Sequence, residues 1–193
     1  GVAGRTVSHN LTVAPEMMWV KERSGSSNWS VYHSDLGNDK VIFLNLSSSV
    51  FTSGIDNWAT TTPTSSVFSL GASSATNNSN DTFIAYLFSS LDGISKVGSY
   101  TGTGAYVLAD CGFTTGARFV LIKRTDASGD WYVWDTERGI TSGNDPYLLL
   151  NSTSAQVTNT DWIAEDSRGF YVSFNAPDAL NASGGEYIFY AIA

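Results

Sequence analysis

Cysteine, charge, histidine and long apolar runs are all scarce in this chain of 193 residues. The single cysteine, Cys111, excludes an intrachain disulfide and any zinc site built from several thiolates. Charged residues make up only 15%, with ten Lys and Arg against eighteen Asp and Glu, for a net charge of −8 and a pI near 4.5. An acidic surface repels phosphate, so neither nucleic acid nor an anionic bilayer suits it as a partner. No apolar run approaches the roughly 20 residues a membrane-crossing helix needs, and no charged-then-apolar signal segment is present. The chain opens at Gly1 rather than Met, as a fragment or a processed chain would. The two histidines, His9 and His33, flank no nucleophile motif, and no G-x-S-x-G elbow occurs. Serine-hydrolase chemistry therefore has no foothold.

What remains is abundant apolar and aromatic surface, 42% and 13% of residues, arranged as a repeat. Met17-Met18-Trp19-Val20-Lys21 matches Phe119-Val120-Leu121-Ile122-Lys123, and the same offset of 102 sets Trp29-Ser30-Val31-Tyr32 on Trp131-Tyr132-Val133-Trp134. With small changes of register, Phe43-Leu44-Asn45 falls on Leu149-Leu150-Asn151 and Asn57-Trp58 on Asp161-Trp162. Phe83-Ile84-Ala85-Tyr86 then meets Tyr187-Ile188-Phe189-Tyr190. Five segments matching in order indicate two copies of one unit, with insertions confined to loops.

Each copy reads as short strands rich in aromatic and β-branched residues. The first copy predicts strands over 17–22, 29–33, 41–46, 67–70 and 83–88, and the second over 119–124, 131–135, 147–151, 170–174 and 187–192. Ser24-Gly25-Ser26-Ser27 and Asp126-Ala127-Ser128-Gly129 suit hairpin loops. No stretch shows sustained helical periodicity. The expected fold is all-β, an antiparallel β-sandwich made of repeats at 1–91 and 105–193, joined by a connector at 92–104 and packed together about a pseudo-twofold.

Phe83-Ile84-Ala85-Tyr86-Leu87-Phe88 followed by Gly93-Ile94-Ser95-Lys96-Val97-Gly98-Ser99-Tyr100-Thr101-Gly102-Thr103-Gly104 resembles a repeated module of tailed-bacteriophage virion proteins, especially tail fibres. The stretches 118–125, 129–139, 181–191 and Thr62-Pro63-Thr64-Ser65-Ser66-Val67-Phe68-Ser69 fit the same module. The resemblance implies a lectin-like jelly roll in an extracellular virion, made in a bacterial host cytoplasm. Other virion proteins, a homo-oligomer or a host-surface polysaccharide would be its partners. It supplies no catalytic or binding residues, and fold analogy does not settle function.

Alternation along the strands nominates the candidate contacts. Trp131 and Val133 share one face, Tyr132 and Trp134 the other, and both faces are apolar. Internal or subunit packing is the simplest reading of such a strand, and the repeated tryptophans are read as core. The places where the copies differ are the ligand or partner candidates: Tyr32 against Trp134, Ser30 against Tyr132 and Leu36 against Arg138. Tyr32, Tyr132, Trp134 and Arg138 are thus the expected contact residues, for stacking on a glycan or for an oligomer interface. Asp161, Glu165 and Asp166 cluster, but adjacent carboxylates on one strand face opposite ways and cannot form the close pair a retaining glycosidase needs. Asn77-Asn78-Ser79-Asn80-Asp81 and Gly143-Asn144-Asp145 have the oxygen-rich composition of a calcium loop, although the same residues are ordinary turn formers. No cofactor is expected. The sequence therefore points first to a non-enzymatic virion module of a tail fibre or related appendage that recognises a host-surface glycan, with a purely architectural capsid or tail decoration module as the alternative and a polysaccharide-degrading tail enzyme as the third reading.

Overall fold

The computed structural model describes residues 1–141 and 143–193 and is all-β, with antiparallel sheets throughout. Two compact units are distinguished: unit 1 comprises Gly1–Asn45 and Val50–Ser89, and unit 2 comprises Leu46–Ser49 and Ser90–Ala193.

In unit 1 the strands are β1 (Arg5–Ser8), β2 (Met17–Glu22), β3 (Ser30–His33), β4 (Lys40–Phe43), β5 (Phe51–Thr52), β6 (Val67–Leu70) and β7 (Phe83–Phe88), with one helical turn, α1 (Ser74–Asn77), before β7. They form a five-stranded sheet in the order β5-β4-β3-β2-β7 and a two-stranded sheet of β1 and β6. Alternation explains the packing: Met18 and Val20 of β2 and Tyr32 of β3 face Phe68 and Leu70 of β6, with Trp58 closing the core. The Trp58 indole N–H donates to the Lys40 carbonyl at 2.8 Å, so this fully buried ring leaves no polar atom unpaired.

Unit 2 contains β8 (Ser95–Thr101), β9 (Val107–Asp110), β10 (Phe119–Arg124), β11 (Trp131–Asp135), β12 (Leu148–Leu149), β13 (Ile163–Asp166), β14 (Gly169–Val172) and β15 (Glu186–Ile192), with a second helical turn, α2 (Asp178–Asn181), before β15. Its sheets run β12-β11-β10-β15-β8 and β13-β14-β9. Val120, Ile122, Tyr132, Trp134, Tyr187 and Phe189 from the larger sheet meet Ala109, Ile163, Phe170 and Val172 from the smaller.

Residues matched by sequence take matched places in the two ladders. Lys21 pairs with Ile84 as Lys123 pairs with Ile188, and Val20 with Ala85 as Ile122 with Phe189. The Trp29 amide donates to Asn45 Oδ1 at 2.9 Å, and the Trp131 amide to Asn151 Oδ1 at 2.8 Å. Asn77 Nδ2 donates to the carbonyls of Val2 and Gly71, while Asn181 Nδ2 donates to those of Ala105 and Ser173. Each of these asparagines ties a helical turn to the smaller sheet of its own unit.

Two expectations change. The stretch 92–104 is built into unit 2 rather than serving as a connector, because β8 lies along β15 over seven residue pairs. The strands expected at 41–46, 147–151 and 170–174 shift or shorten to β4, β12 and β14. β1, β5, β8, β9 and β13 were not expected.

Unit 2 also holds the segment Leu46–Ser49. The Ser47 carbonyl accepts from Lys123 Nζ at 3.1 Å and from the Gly129 amide at 2.8 Å. Lys123 is fully buried, and its second acceptor is the Gly129 carbonyl at 2.6 Å. Burial brings its pKa down to about 8, against the opposing pull of Asp130.

Candidate functional site

The aromatic contact residues expected from sequence lie inside the units. Tyr32 is 3% exposed, set edge-on to Trp58 with ring centroids 5.7 Å apart, and its hydroxyl donates to Asn38 Oδ1 at 3.1 Å. Burial, helped by Asp35, raises its pKa. Tyr132 is 8% exposed and stacks on the fully buried Trp134 at 5.8 Å, with Tyr147 and Trp162 completing the cluster. Burial, and then the Asp130 charge, pushes the Tyr132 phenol up to about 12. The Trp134 indole donates to the Asp145 carbonyl at 3.2 Å.

These three rings are packed as core instead of standing on the surface as contact residues would. The physical reason is that the face each occupies is covered by the smaller sheet of its own unit, and on β11 the opposite face also carries a buried ring, Trp131. Arg138 is partly exposed and pairs with Asp135 at the end of β11, where its own amide also donates to Asp135 Oδ1 at 3.0 Å. The structure thus brings Tyr132 and Trp134 together but joins neither to Arg138 through any described contact.

The carboxylates are occupied in turns. Asp161 accepts from the Gly143 amide at 2.9 Å and from Asn175 Nδ2 at 3.3 Å, and Asp166 is ion-paired with Arg168 at 3.0 Å. Arg168 holds the Asp166 carboxyl below the usual carboxylate range. Glu165 lies on β13 beside Asp166 and is exposed. Among the described residues no group of three or more His, Cys, Asp or Glu side chains converges as a metal site would. Of the two oxygen-rich loops, one spends Asn77 on internal bonds and pairs Asp81 with Asn78 and Ser24. The other turns Asp145 inward, where its Oδ2 accepts from the amides of Trp162 and Ile163 at 2.9 and 2.6 Å. Among the described residues the buried Asp145 Oδ1 meets no hydrogen-bond donor, and burial raises the Asp145 pKa.

The feature that sequence reasoning missed lies along β7. A cleft of about 250 Å³ opens in unit 1 between Phe83 and Ala85 of β7, Val20 of β2, Val7 of β1, and Phe68 and Leu70 of β6, with Arg5 and Asp81 also in its wall. On the other face of the same strand stand Ile84 and Tyr86, 38% and 44% exposed. Tyr86 stacks on Trp29 with centroids 6.2 Å apart, and Trp19 packs on Phe88 at 4.6 Å. Among the described residues strand β7 is outermost in its sheet and pairs with β2 alone. The one available signal was composition: Phe83-Ile84-Ala85-Tyr86-Leu87-Phe88 carries no charge, proline or glycine. A smaller aromatic patch lies on unit 2, where exposed Tyr106 meets Phe174 at 5.2 Å and Tyr171 at 6.4 Å.

The family model for a domain of unknown function, DUF7483, matches residues 1–193. The chain belongs to the DUF7483 family. No curated protein and no solved structure matches it. Membership in DUF7483 assigns no activity, so the site has to be read from its own chemistry.

Proposed function

We propose that the chain is a non-enzymatic architectural module of a tailed-phage virion that joins its neighbours through the β7 side of unit 1. The observation that carries this reading is the exposed apolar strand with Ile84, Tyr86 and Trp29 on one face and a cleft on the other. Contiguous apolar surface rimmed by polar residues marks a protein contact more often than a catalytic centre. The motif at 93–104, which resembles phage tail-fibre modules, supplies the virion setting. The reading includes a duplication of one sandwich unit, supported by the matched pairings of Lys21 and Lys123 and of Asn77 and Asn181. It also includes the lectin-like jelly-roll relationship that the resemblance implies.

Oxidative footprinting of the free chain and of the virion that carries it tests the reading. Tyr86 is expected to label in the free chain and to be shielded in the particle. Equal labelling in both, or absence of the chain from the particle, refutes it. The patch of Tyr106, Tyr171 and Phe174 favours glycan recognition as a second reading, because exposed rings can cover the apolar face of a sugar. A glycan array that responds to the chain and not to its Tyr106→Ala form would make that reading the better one.

A further inference from the structure

Building on that assembly reading, we propose that the open edge of β7 takes an added strand: an extended segment of a partner chain pairs antiparallel with residues 83–87 and places an aromatic side chain in the cleft.

The backbone is arranged for it. Arg23 N donates to the Thr82 carbonyl, and Lys21 and Trp19 pair with Ile84 and Tyr86. Antiparallel alternation then turns the N–H and C=O groups of Phe83, Ala85 and Leu87 away from β2. Among the described residues no second strand meets them. Exposed sheet edges are normally blunted by charge, proline or bulges. Strand β8, outermost in unit 2, follows that rule with Lys96 and with exposed Ser99 and Thr101. Strand β7 has none of these devices.

Unit 2 shows an occupied form of the same edge. There β15, which pairs with β10 as β7 pairs with β2, is covered on its far side by β8. Tyr100 of β8 lies opposite Tyr187, stacks on it at 4.8 Å and donates its hydroxyl to the Leu180 carbonyl at 2.7 Å. Gly98 lies opposite Phe189, whose ring comes within 2.7 Å of where a Cβ on Gly98 would stand. In unit 1 the ladder positions of Tyr187 and Phe189 belong to Phe83 and Ala85. Among the described residues no strand supplies a counterpart of Tyr100, the Phe189 ring is replaced by a methyl group, and the cleft opens at that place. This fixes the donor's pattern: an aromatic residue opposite Phe83 and, two residues earlier, a bulky apolar residue opposite Ala85, where β8 can carry only glycine. Main-chain pairing gives such complexes affinity, and alternate side-chain pockets give them specificity.

The test uses the whole chain and synthetic peptides of residues 94–102, with the native sequence, with Gly98→Phe, and with Gly98→Phe plus Tyr100→Ser. Titration calorimetry is read together with hydrogen exchange at the amides of Phe83, Ala85 and Leu87. The Gly98→Phe peptide is expected to bind at least about tenfold more tightly than the other two, since a buried aromatic ring commands that much, and to slow exchange at all three amides. Ala85→Phe in the chain refills the cleft and weakens that peptide at least about tenfold. Ala85→Pro removes one outward donor while sparing the bonds to β2 and abolishes binding. If the proline form does not fold, the Ala85→Phe comparison decides. Binding without protection of those amides, or binding indifferent to Ala85→Phe, overturns the proposal. Protection seen only when the peptide is fused ahead of Gly1 overturns the partner-chain source. Shielding of Tyr86 in the virion with no peptide protection sinks strand addition and leaves the assembly reading standing. The reverse result sinks the assembly reading alone.

Discussion

Lys123 gives the sharpest test of the energetics. It is fully buried, donates to the carbonyls of Ser47 and Gly129, and titrates near pH 8 instead of its ordinary 10.5. The folded-state pKa is depressed, so below pH 8 both folded and unfolded chains carry the proton and the fold bears the full cost of a buried ammonium. Between pH 8 and 10.5 the folded chain releases the proton while the unfolded chain keeps it, and stability rises with pH. At about 1.4 kcal/mol per pH unit, the rise from pH 8 to 9.5 is roughly 2 kcal/mol. For a chain of this size that corresponds to a melting temperature higher by about 4–8 °C. General charge repulsion in an acidic protein acts in the opposite sense, so the measurement is differential: melting of the native chain against Lys123→Met at pH 7 and pH 9.5. The gap between the two proteins should shift by that amount in favour of the native chain. A gap unchanged over this range would show that the two carbonyl contacts hold the ammonium at its ordinary pKa and would refute the burial argument. Lys21, at the matched place in unit 1, donates to the carbonyls of Glu22 and Gly25 and is not fully buried.

Two further outcomes follow from buried groups. Asp145 has a raised pKa, so its contribution falls as pH rises from the ordinary carboxylate value through the folded one. Asp145→Asn, which keeps an acceptor for the amides of Trp162 and Ile163, should flatten that acid-side slope, whereas Asp145→Ala should cost about 2 kcal/mol in urea unfolding by stranding both donors. A Cβ at Gly169 would stand 2.2 Å from the Ala109 carbonyl oxygen, which is backbone and cannot swing aside. Gly169→Ala should therefore destabilise by about 3 kcal/mol in the same assay, and a loss below the measurement error would mean that β14 and β9 can separate.

Strands with dense aromatic and β-branched content were legible from residue type alone. The bounds expected for β2, β6, β7, β10 and β11 are those observed. Strand β8 was hidden because Ser95-Lys96-Val97-Gly98-Ser99-Tyr100-Thr101 has the composition of a loop. Its glycine is required by the Phe189 ring across the ladder, a tertiary demand that local propensity cannot express. The two-residue period correctly set Tyr132 and Trp134 on one face. Which face would be buried was not written in it, because Trp131 on the opposite face is buried too. The candidate site was invisible for a related reason. An open edge depends on which strand lies next to which, and Ala85 becomes informative only when it is seen to occupy the ladder position of Phe189.

The segment Leu46–Ser49 has a consequence for modularity. Unit 2 is interrupted in sequence, since four of its residues are encoded between β4 and β5 of unit 1. The chain therefore cannot be cut at residue 90 into two units that each keep all of their own residues. A chain started at residue 90 would lack the Ser47 carbonyl that receives both Lys123 and Gly129. During synthesis, those four residues leave the ribosome long before the strands they serve, and they have no complete partner until Lys123 follows. Recombination at residue 90 would separate unit 2 from its Leu46–Ser49 segment even when every later residue is kept.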